Sequence, residues 1–194
     1  MLPRIGVLAL QGDVEEHLAT LAQLPCVPAA VKKDADIRSC DGLIIPGGES
    51  TTIGKLIQRF ELEPAIAGLH EAGRPIFGTC AGVILLANEI VGSDQYRLGW
   101  LNAEVERNAY GRQVDSFETD LPVQGVEGGP VRAVFIRAPI IRAAREGCEV
   151  LASFDGLPVL VRQGNLLGAT FHPELVGETR IHRLLLSLCP GAWG

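Results

Sequence analysis

Short apolar segments that lead into glycine-containing turns constrain the fold of this chain more than any other feature of its sequence. The residues Ile5 to Leu10 form a continuous apolar run followed by Gln11-Gly12-Asp13, and Asp41 to Gly48 repeats the pattern. A shorter run from Arg74 to Gly78 feeds directly into Thr79-Cys80-Ala81-Gly82. Continuous apolar strands without alternating polarity are typical of a parallel sheet that is buried on both faces.

Helix-like segments separate these runs, so strands and helices alternate along the first half of the chain. We predict helices from Val14 to Gln23, from Ser50 to about Phe60, from Pro64 to Ala72 and from Val83 to Glu89. Ser50 to Thr52 can cap the second of these helices. The sequence therefore predicts an α/β fold of three layers, with a mostly parallel central sheet and helices on both faces.

The second half of the chain follows a different pattern. Between Tyr96 and Gly168, short alternating strands are separated by Gly and Pro, for example at Val131 to Arg137, Glu149 to Phe154 and Pro158 to Gln163. We expect these strands to add mixed or antiparallel sheet to the parallel core. An amphipathic helix is predicted from Glu174 to Leu188. With no linker or repeat in its 194 residues, the chain is expected to form a single domain over 1–194.

Composition excludes several classes of partner. The formal net charge of −6 argues against binding to nucleic acid or to an anionic membrane surface. No apolar run approaches the roughly 20 residues that span a bilayer. The five cysteines lie far apart without a C-x-x-C pair, which argues against a disulfide framework and a zinc site. We therefore expect a cytoplasmic protein with reduced thiols, no metal and no cofactor.

One cysteine lies in a setting that suits nucleophilic attack. In Gly78-Thr79-Cys80-Ala81-Gly82 the thiol is placed at a strand-to-helix turn, the cysteine counterpart of the G-x-S-x-G nucleophile elbow. The helix N-terminus favours a thiolate, and the N–H of Ala81 points to where an oxyanion would form. The alternative is a small buried hydrophobe. That alternative is expected for the other four, Cys26, Cys40, Cys148 and Cys189.

A cysteine nucleophile needs a base, and His172 is the histidine best placed to serve. It follows the apolar strand Leu166 to Phe171 and precedes Pro173, which ends the strand. Glu174 can fix the imidazole tautomer as the acid of a triad, or it can simply be an early helix residue that favours the helix dipole. A surface or structural role is expected for the other three histidines, His17, His70 and His182.

Three motifs of the chain resemble those of the class I glutamine amidotransferases, whose triad is Cys-His-Glu. They are Pro46-Gly47-Gly48-Glu49-Ser50, Gly78-Thr79-Cys80-Ala81-Gly82 and Phe171-His172-Pro173-Glu174, in the same order and with similar spacing. A narrower resemblance, to the glutaminase subunits of pyridoxal 5′-phosphate synthase, spans nearly the whole chain. Its segments are Gly6 to Asp13, Pro46 to Thr51, Arg107 to Gln113 and Phe135 to Pro139.

This resemblance implies that Cys80, His172 and Glu174 hydrolyse L-glutamine to L-glutamate and ammonia through a glutamyl thioester. It also implies docking to a (β/α)8 synthase subunit, in an assembly of as many as twelve copies of each, which uses the ammonia to make pyridoxal 5′-phosphate (vitamin B6). It assigns no role to His17 or Arg112. The residues that it implies for L-glutamine binding are Gly47, Gly48, Glu49, Arg107, Ile136 and Arg137.

The chemistry of these residues agrees in part with the resemblance. Gly47 and Gly48 allow a close backbone approach, and the N–H of Gly48 suits a second oxyanion donor beside Ala81, although a Gly-Gly pair also forms ordinary turns. Glu49 suits the ammonium of the substrate, and Arg107 suits its carboxylate. The alternative for both is a solvated surface charge.

Two other classes of function share parts of this pattern. A cysteine hydrolase or thiol-based stress protein would have a similar elbow, but the Pro46 to Ser50 loop and the His-Pro-Glu motif argue against it. A silent regulatory subunit would only bind glutamine or a partner, and the intact set of Cys80, His172 and Glu174 argues against that.

Overall fold

A computed structural model describes residues 1–107 and 116–190 of the chain. The segment quoted above after Arg107, including Arg112, therefore lies outside the described residues. The strands are β1 Arg4–Leu8, β2 Val27–Val31, β3 Gly42–Ile45, β4 Ile76–Thr79, β5 Ala87–Ile90, β6 Leu101–Glu106, β7 Ser116–Leu121, β8 Val131–Ile136, β9 Ile140–Ala144, β10 Glu149–Phe154, β11 Leu157–Gln163 and β12 Leu166–Ala169. The α-helices are α1 Val14–Leu21, α2 Asp34–Arg38, α3 Ser50–Arg59, α4 Glu63–Glu71, α5 Ala81–Leu86 and α6 Thr179–Ser187, with a 3-10 turn at Pro173–Val176.

Seven strands form the central sheet, in the order β10-β11-β12-β4-β3-β1-β2. The strands from β12 to β2 in this order run parallel to one another. Strand β11 pairs antiparallel with β12, and β10 pairs antiparallel with β11. The predicted α/β fold, with a mostly parallel sheet and added antiparallel strands, is therefore confirmed.

Helices cover both faces of this sheet, which explains the continuous apolar runs. In β3, Leu43 and Ile45 pack in a cluster with residues of α2 to α5, whereas Ile44 packs in a second cluster with residues of α1 and α6. All three side chains are fully buried. Because successive side chains of a strand point to opposite faces, a strand that is covered on both sides has no polar alternation.

The second half of the chain adds two small sheets. One has the order β5-β6-β9 and the other pairs β7 with β8. The helix predicted from Val83 to Glu89 is too long, since α5 ends at Leu86 and Ala87–Ile90 forms β5. Every residue of α5 is buried, so the segment has no polar face, and its hydrophobic pattern cannot distinguish a buried helix from a buried strand.

Two predicted helix termini also differ in the structure. The cap of α3 is Glu49 rather than the Ser50 to Thr52 group, because its carboxylate accepts hydrogen bonds from the N–H of Thr51 and of Thr52. The helix predicted from Glu174 to Leu188 is divided into the 3-10 turn and α6. Gly177 separates them in the left-handed conformation (φ 64°) that often ends a helical turn.

The carboxyl ends of four parallel strands meet at one edge of the central sheet. Gln11-Gly12-Asp13 follows β1, Gly47-Gly48 follows β3, Cys80 follows β4, and His172 lies beyond the end of β12. Strands β2 and β3 lie on opposite sides of β1, so the first two loops flank the point where the strand order reverses. There the N–H of Asp13 donates to the Gly47 carbonyl over 3.1 Å. Open α/β sheets bind ligands at this kind of position.

The described chain contains no helix that is long and apolar enough to cross a bilayer. All five cysteines are free. The four that were predicted to be core residues, Cys26, Cys40, Cys148 and Cys189, are buried.

Candidate active site

Cys80 occupies a strained turn between β4 and α5. Its φ of 49° and ψ of −101° lie outside the conformations that non-glycine residues ordinarily adopt, a strain that costs about 1–3 kcal/mol. The N–H of Cys80 donates to the Ala169 carbonyl over 2.8 Å, so the neighbouring strand β12 holds the turn in place. The residue is 8% exposed. A strained conformation held by its surroundings is typical of functional positions.

The glycines on either side of this turn are required by close packing. A Cβ on Gly78 would lie 2.4 Å from the carbonyl carbon of Gly82, and a Cβ on Gly82 would lie 2.1 Å from the carbonyl oxygen of Ile45. These approaches leave no room for a side chain at either position. As predicted, the two glycines allow the helix to pack directly against the strands and present the thiol at the sheet edge.

A pocket of about 390 Å³ lies at this edge of the sheet. Seven of the predicted site residues line it: Gly48, Glu49, Cys80, Arg107, Ile136, Arg137 and His172. The other three lie beside or beneath the pocket. A Cβ on Gly47 would lie 2.4 Å from the His172 ring, Ala81 follows Cys80 as the first residue of α5, and Glu174 is buried beside His172.

The His172 ring is held by two carboxylates. Nδ1 lies 2.8 Å from Oε1 of Glu174 and 3.3 Å from Oδ2 of Asp13. The backbone N–H of His172 donates to the Val134 carbonyl over 2.8 Å, which fixes the loop after β12 against β8. Because Nδ1 is hydrogen-bonded to the carboxylates, Nε2 is the ring nitrogen that can interact with the Cys80 sulfur.

The electrostatic setting of His172 favours the imidazolium. Burial alone would lower the pKa of His172, but hydrogen bonds with Asp13, Cys80 and Glu174 outweigh burial and raise this pKa to about 12. Burial raises the pKa of Glu174, and its hydrogen bond to His172 acts in the opposite direction. A protonated imidazole beside a thiol is the arrangement that stabilises a thiolate nucleophile.

The two charged residues predicted to bind the substrate pair with each other. Nη2 of Arg107 lies 3.0 Å from Oε1 of Glu49, and Nη1 of Arg107 donates to Oε1 of Gln95. Burial would raise the pKa of Glu49, but hydrogen bonds from Thr51 and Thr52 outweigh it and lower this pKa to about 2. Glu49 is therefore a stable anion that caps α3 and orients the Arg107 guanidinium.

Sequence reasoning assigned no role in the site to Asp13 or Gln95. Asp13 carried a usable signal, because it follows a buried parallel strand and precedes a helix, at the sheet edge where ligands bind. Gln95 lies in the connection between β5 and β6, and no local pattern marks it. The surface alternative is wrong for His17 and His182, which are fully buried.

One group of potential metal ligands exists within residues 1–107 and 116–190. Asp13, His172 and Glu174 each offer a ligand atom, and these atoms lie within 4.8 Å of one another. Nδ1 of His172 already pairs with Oε1 of Glu174 and Oδ2 of Asp13. The arrangement is thus already that of an imidazole held by carboxylates, as in a catalytic triad.

The chain is similar in sequence and in fold to known proteins. The family model described as the SNO glutamine amidotransferase family matches residues 7–190. The chain is 54% identical over 188 residues to the pyridoxal 5′-phosphate synthase subunit PdxT of Frankia alni, covering 96% of this chain and 94% of the relative. It is 54% identical over 186 residues to the subunit of the same name from Thermus thermophilus, covering 95% and 96%. A crystal structure of a glutamine amidotransferase matches with a TM-score of 0.89 and 51% identity, covering 96% of this chain and 98% of that chain.

Proposed function

The chain belongs to the SNO glutamine amidotransferase family, and from that membership we propose that it hydrolyses L-glutamine and supplies the ammonia to a pyridoxal 5′-phosphate synthase. The observation that carries the proposal is that Cys80 and His172 face one pocket at the carboxyl edge of the sheet. Glu174 holds the far side of the same imidazole at 2.8 Å. A nucleophile, a base and an orienting acid are the parts that covalent acyl transfer requires.

The first half of the reaction forms a thioester. The Cys80 thiolate attacks the side-chain amide carbon of glutamine, so that a carbon–sulfur bond forms and the carbonyl oxygen takes the negative charge. The intermediate collapses with cleavage of the carbon–nitrogen bond, and the His172 imidazolium donates its Nε2 proton to the leaving ammonia. A glutamyl thioester on Cys80 and a neutral His172 remain.

The second half regenerates the enzyme. Neutral His172 takes a proton from water at Nε2, and the resulting hydroxide attacks the thioester carbonyl. The carbon–sulfur bond breaks, the new carboxyl group loses its proton to water, glutamate leaves, and Cys80 returns as a thiolate beside the imidazolium. Glu174 keeps the ring in one orientation throughout, because its Oε1 accepts the Nδ1 proton.

Backbone and side-chain groups around the pocket bind the substrate in this proposal. The N–H groups of Gly48 and Ala81 stabilise the oxyanion, and Arg107 binds the α-carboxylate. The substrate ammonium approaches Glu49, whose charge also pairs with Arg107. The backbone of Ile136 and Arg137 closes the amino-acid end of the pocket, and Gly47 leaves room for the His172 ring, which a Cβ there would approach to 2.4 Å.

Delivery of ammonia requires a partner beside the pocket. Ammonia must travel unprotonated because ammonium is a poor nucleophile, so the product should pass directly into a (β/α)8 synthase subunit, in an assembly of up to twelve copies of each. The exposed surface at the pocket supports docking there: Gln11, Gly12 and Gly48 are exposed, and the apolar Ile136, Leu175 and Val176 are 38%, 37% and 40% exposed. The free thiols suit the reducing cytoplasm, where we place the complex.

Glutamate formation by the chain mixed with a pyridoxal 5′-phosphate synthase subunit tests the proposal. We expect turnover in the mixture, its loss in Cys80→Ala, and normal turnover in Cys148→Ala, which removes a buried thiol outside the pocket. Near-normal turnover by Cys80→Ala would refute the assignment of the nucleophile. If the isolated chain turned over as fast as the mixture, the coupling to a partner would be wrong.

A glutamine-analogue electrophile distinguishes this function from that of a general cysteine hydrolase. It should label Cys80, as read by mass spectrometry of the modified peptide, while unrelated peptide substrates remain uncleaved. Cleavage of such peptides without labelling by the analogue would instead indicate a hydrolase. Labelling without glutamate formation in the mixture would indicate a silent binding subunit.

A further inference from the structure

A second hydrogen-bonded cluster lies directly behind Glu174. The cluster is fully buried and consists of His17 on α1, His182 on α6 and Thr79 on β4. Nδ1 of His17 lies 2.9 Å from Nε2 of His182, and Nε2 of His17 lies 3.1 Å from Oγ1 of Thr79. The same Nε2 lies 3.5 Å from Oε1 of Glu174, the oxygen that holds His172. The cluster therefore links the triad carboxylate to two helices and to the residue before the nucleophile.

Both histidines of this cluster are neutral. Burial lowers the pKa of His17 well below its ordinary value, and the nearby His182 and His172 lower it further. Burial also lowers the pKa of His182 to about 4, against the opposing effect of the Glu178 backbone. Phe77 contacts both rings edge-on, with centroids at 6.5 Å and 5.9 Å. Each ring thus carries one N–H proton, and the nitrogen that carries it determines which neighbour receives the hydrogen bond.

The Glu174 carboxylate fixes the proton of His17. Nε2 of His17 lies 3.5 Å from Oε1 of Glu174, and an unprotonated ring nitrogen that faced a buried carboxylate would be repelled by it, so the His17 proton belongs on Nε2. This N–H then faces both Oγ1 of Thr79 and Oε1 of Glu174. Nδ1 of His17 is left as an acceptor, and Nε2 of His182 donates to it over 2.9 Å.

We propose that His17, oriented by His182, is a positioning residue that directs an N–H at Oε1 of Glu174 and so holds the triad carboxylate against His172. This role rests on the proposed glutaminase function. Glu174 needs such support because its Oε2 has no hydrogen-bond partner in the described part of the chain. A buried carboxylate with one unpaired oxygen can rotate or take up a proton, and either change releases the imidazole.

The neutrality of His17 matters for the same reason. A cationic His17 would compete with the His172 imidazolium for the single charge of Glu174. A neutral N–H donor supports the carboxylate without neutralising it, so the charge remains available to His172. The cluster thus orients the acid of the triad and leaves the proton balance of the reaction to Cys80 and His172.

Two substitutions of His17 separate positioning from packing. His17→Gln places an amide N–H close to the former Nε2 and keeps the donor toward Glu174, whereas His17→Leu fills the site without a donor. In the complex with the synthase subunit, we expect His17→Leu to lower kcat for glutamate formation by about tenfold or more, with KM for glutamine changed by less than about threefold. His17→Gln should retain most of the wild-type kcat.

A second polar variant covers the case in which His17→Leu does not fold. His17→Asn places its amide near the former Nδ1, so it can contact His182 but cannot reach Glu174. Thermal unfolding identifies the folded variants before kinetics. A folded His17→Leu or His17→Asn with wild-type kcat would overturn the proposal, and so would an equal loss of kcat in His17→Gln and His17→Asn.

The ring nitrogens of His172 provide a readout that does not depend on turnover. In ¹⁵N NMR spectra of the isolated chain, His17→Leu should lower the pKa of His172 and shift its Nδ1 resonance, while His17→Gln should leave both close to wild type. An unchanged His172 signal in folded His17→Leu would refute the positioning role even if the chain were not a glutaminase. Absence of wild-type turnover together with the expected NMR shift would count against the glutaminase function alone.

Discussion

Oδ2 of Asp13 lies 3.3 Å from Nδ1 of His172, the nitrogen that also lies 2.8 Å from Oε1 of Glu174. The ring therefore faces two carboxylates from different parts of the fold, one at the start of α1 and one in the 3-10 turn after β12. The Glu174 side chain is fully buried, whereas 33% of the Asp13 side chain is exposed. Asp13 is thus the partner of His172 that solvent and a bound substrate can reach.

Asp13→Asn should destabilise the protein in a pH-dependent way. Within the described chain, the Asp13 side chain makes no capping hydrogen bond to α1, so the substitution acts mainly on His172. The folded pKa of His172 is about 12, above its ordinary 6.5, so stabilisation of the imidazolium is complete below the ordinary pKa and is lost as pH rises toward the folded one.

The expected size of this effect follows from a partly exposed hydrogen bond to a charged group. Asp13→Asn should lower the free energy of unfolding by about 1 kcal/mol near neutral pH, and the loss should disappear only as pH approaches the folded pKa of His172. Urea unfolding measures the loss in the wild-type background and in a His172→Asn background, which has no imidazolium. An equal loss in both backgrounds would show that Asp13 does not act through the His172 charge.

Arg107→Lys should weaken glutamine binding more than it slows the chemistry. The guanidinium is oriented by Glu49 at 3.0 Å and by Gln95, which presets a two-pronged donor for the substrate carboxylate. Lysine keeps the charge but loses this fork, so we expect KM to rise by about 10- to 100-fold and kcat to change by less than about threefold. Steady-state glutamate formation in the complex measures both.

Arg142→Lys is the matched control for that substitution. Arg142 on β9 pairs with Glu106 and does not line the described pocket, so the same chemical change there should leave KM unchanged. If Arg142→Lys raised KM as much as Arg107→Lys did, the effect would reflect general stability rather than carboxylate binding.

Glu49→Gln should remove a stabilising charge that acts only above acidic pH. The pKa of Glu49 is lowered from 4.5 to about 2, so its contribution is present above the ordinary value and is lost as pH falls toward about 2. Wild type should exceed Glu49→Gln in unfolding free energy at neutral pH by about 1 kcal/mol, the usual value of a helix cap. Chemical denaturation at a series of pH values should show the gap closing between 4.5 and 2. If the difference in unfolding free energy stayed constant with pH, Glu49 would stabilise the protein through packing rather than through its charge.

The parallel core and the nucleophile turn could be predicted because both are local in sequence. An apolar run followed by glycine specifies a buried strand and its turn, and Gly78 and Gly82 mark the place where a helix must approach the strands closely. His172 could be predicted because its context, between an apolar strand and Pro173, differs from that of the other histidines. In each case the information lies within a few residues.

The features that could not be predicted are of two kinds. Some depend on contacts between residues that are distant in sequence, and others lie where the local sequence is equally compatible with two structures or two roles. His17 and His182 are 165 residues apart, and nothing in either helical stretch indicates that the two rings meet. Glu49 could be expected to bind a substrate ammonium, yet its position before Thr51 and Thr52 also makes it a helix cap. The start of β5 was predicted as helix because the apolar residues of α5 lead directly into it, and a buried apolar run has no periodicity that marks where a helix ends and a strand begins.

Gly82→Ala should destabilise the fold strongly, because the elbow depends on backbone packing. The added Cβ would lie 2.1 Å from the Ile45 carbonyl oxygen, and a backbone atom of a central strand cannot move aside as a side-chain tip can. We expect a loss of about 3 kcal/mol or more in unfolding free energy, at the upper end of what overpacking causes.

Gly68→Ala in α4 is the control, since its Cβ would meet only the Arg38 guanidinium at 3.3 Å. There the better helix propensity of alanine should leave stability unchanged or raise it by up to about 1 kcal/mol. Equal stability of the two variants would mean that α5 can shift away from β3, and that the close approach at Gly82 does not fix the geometry of the nucleophile.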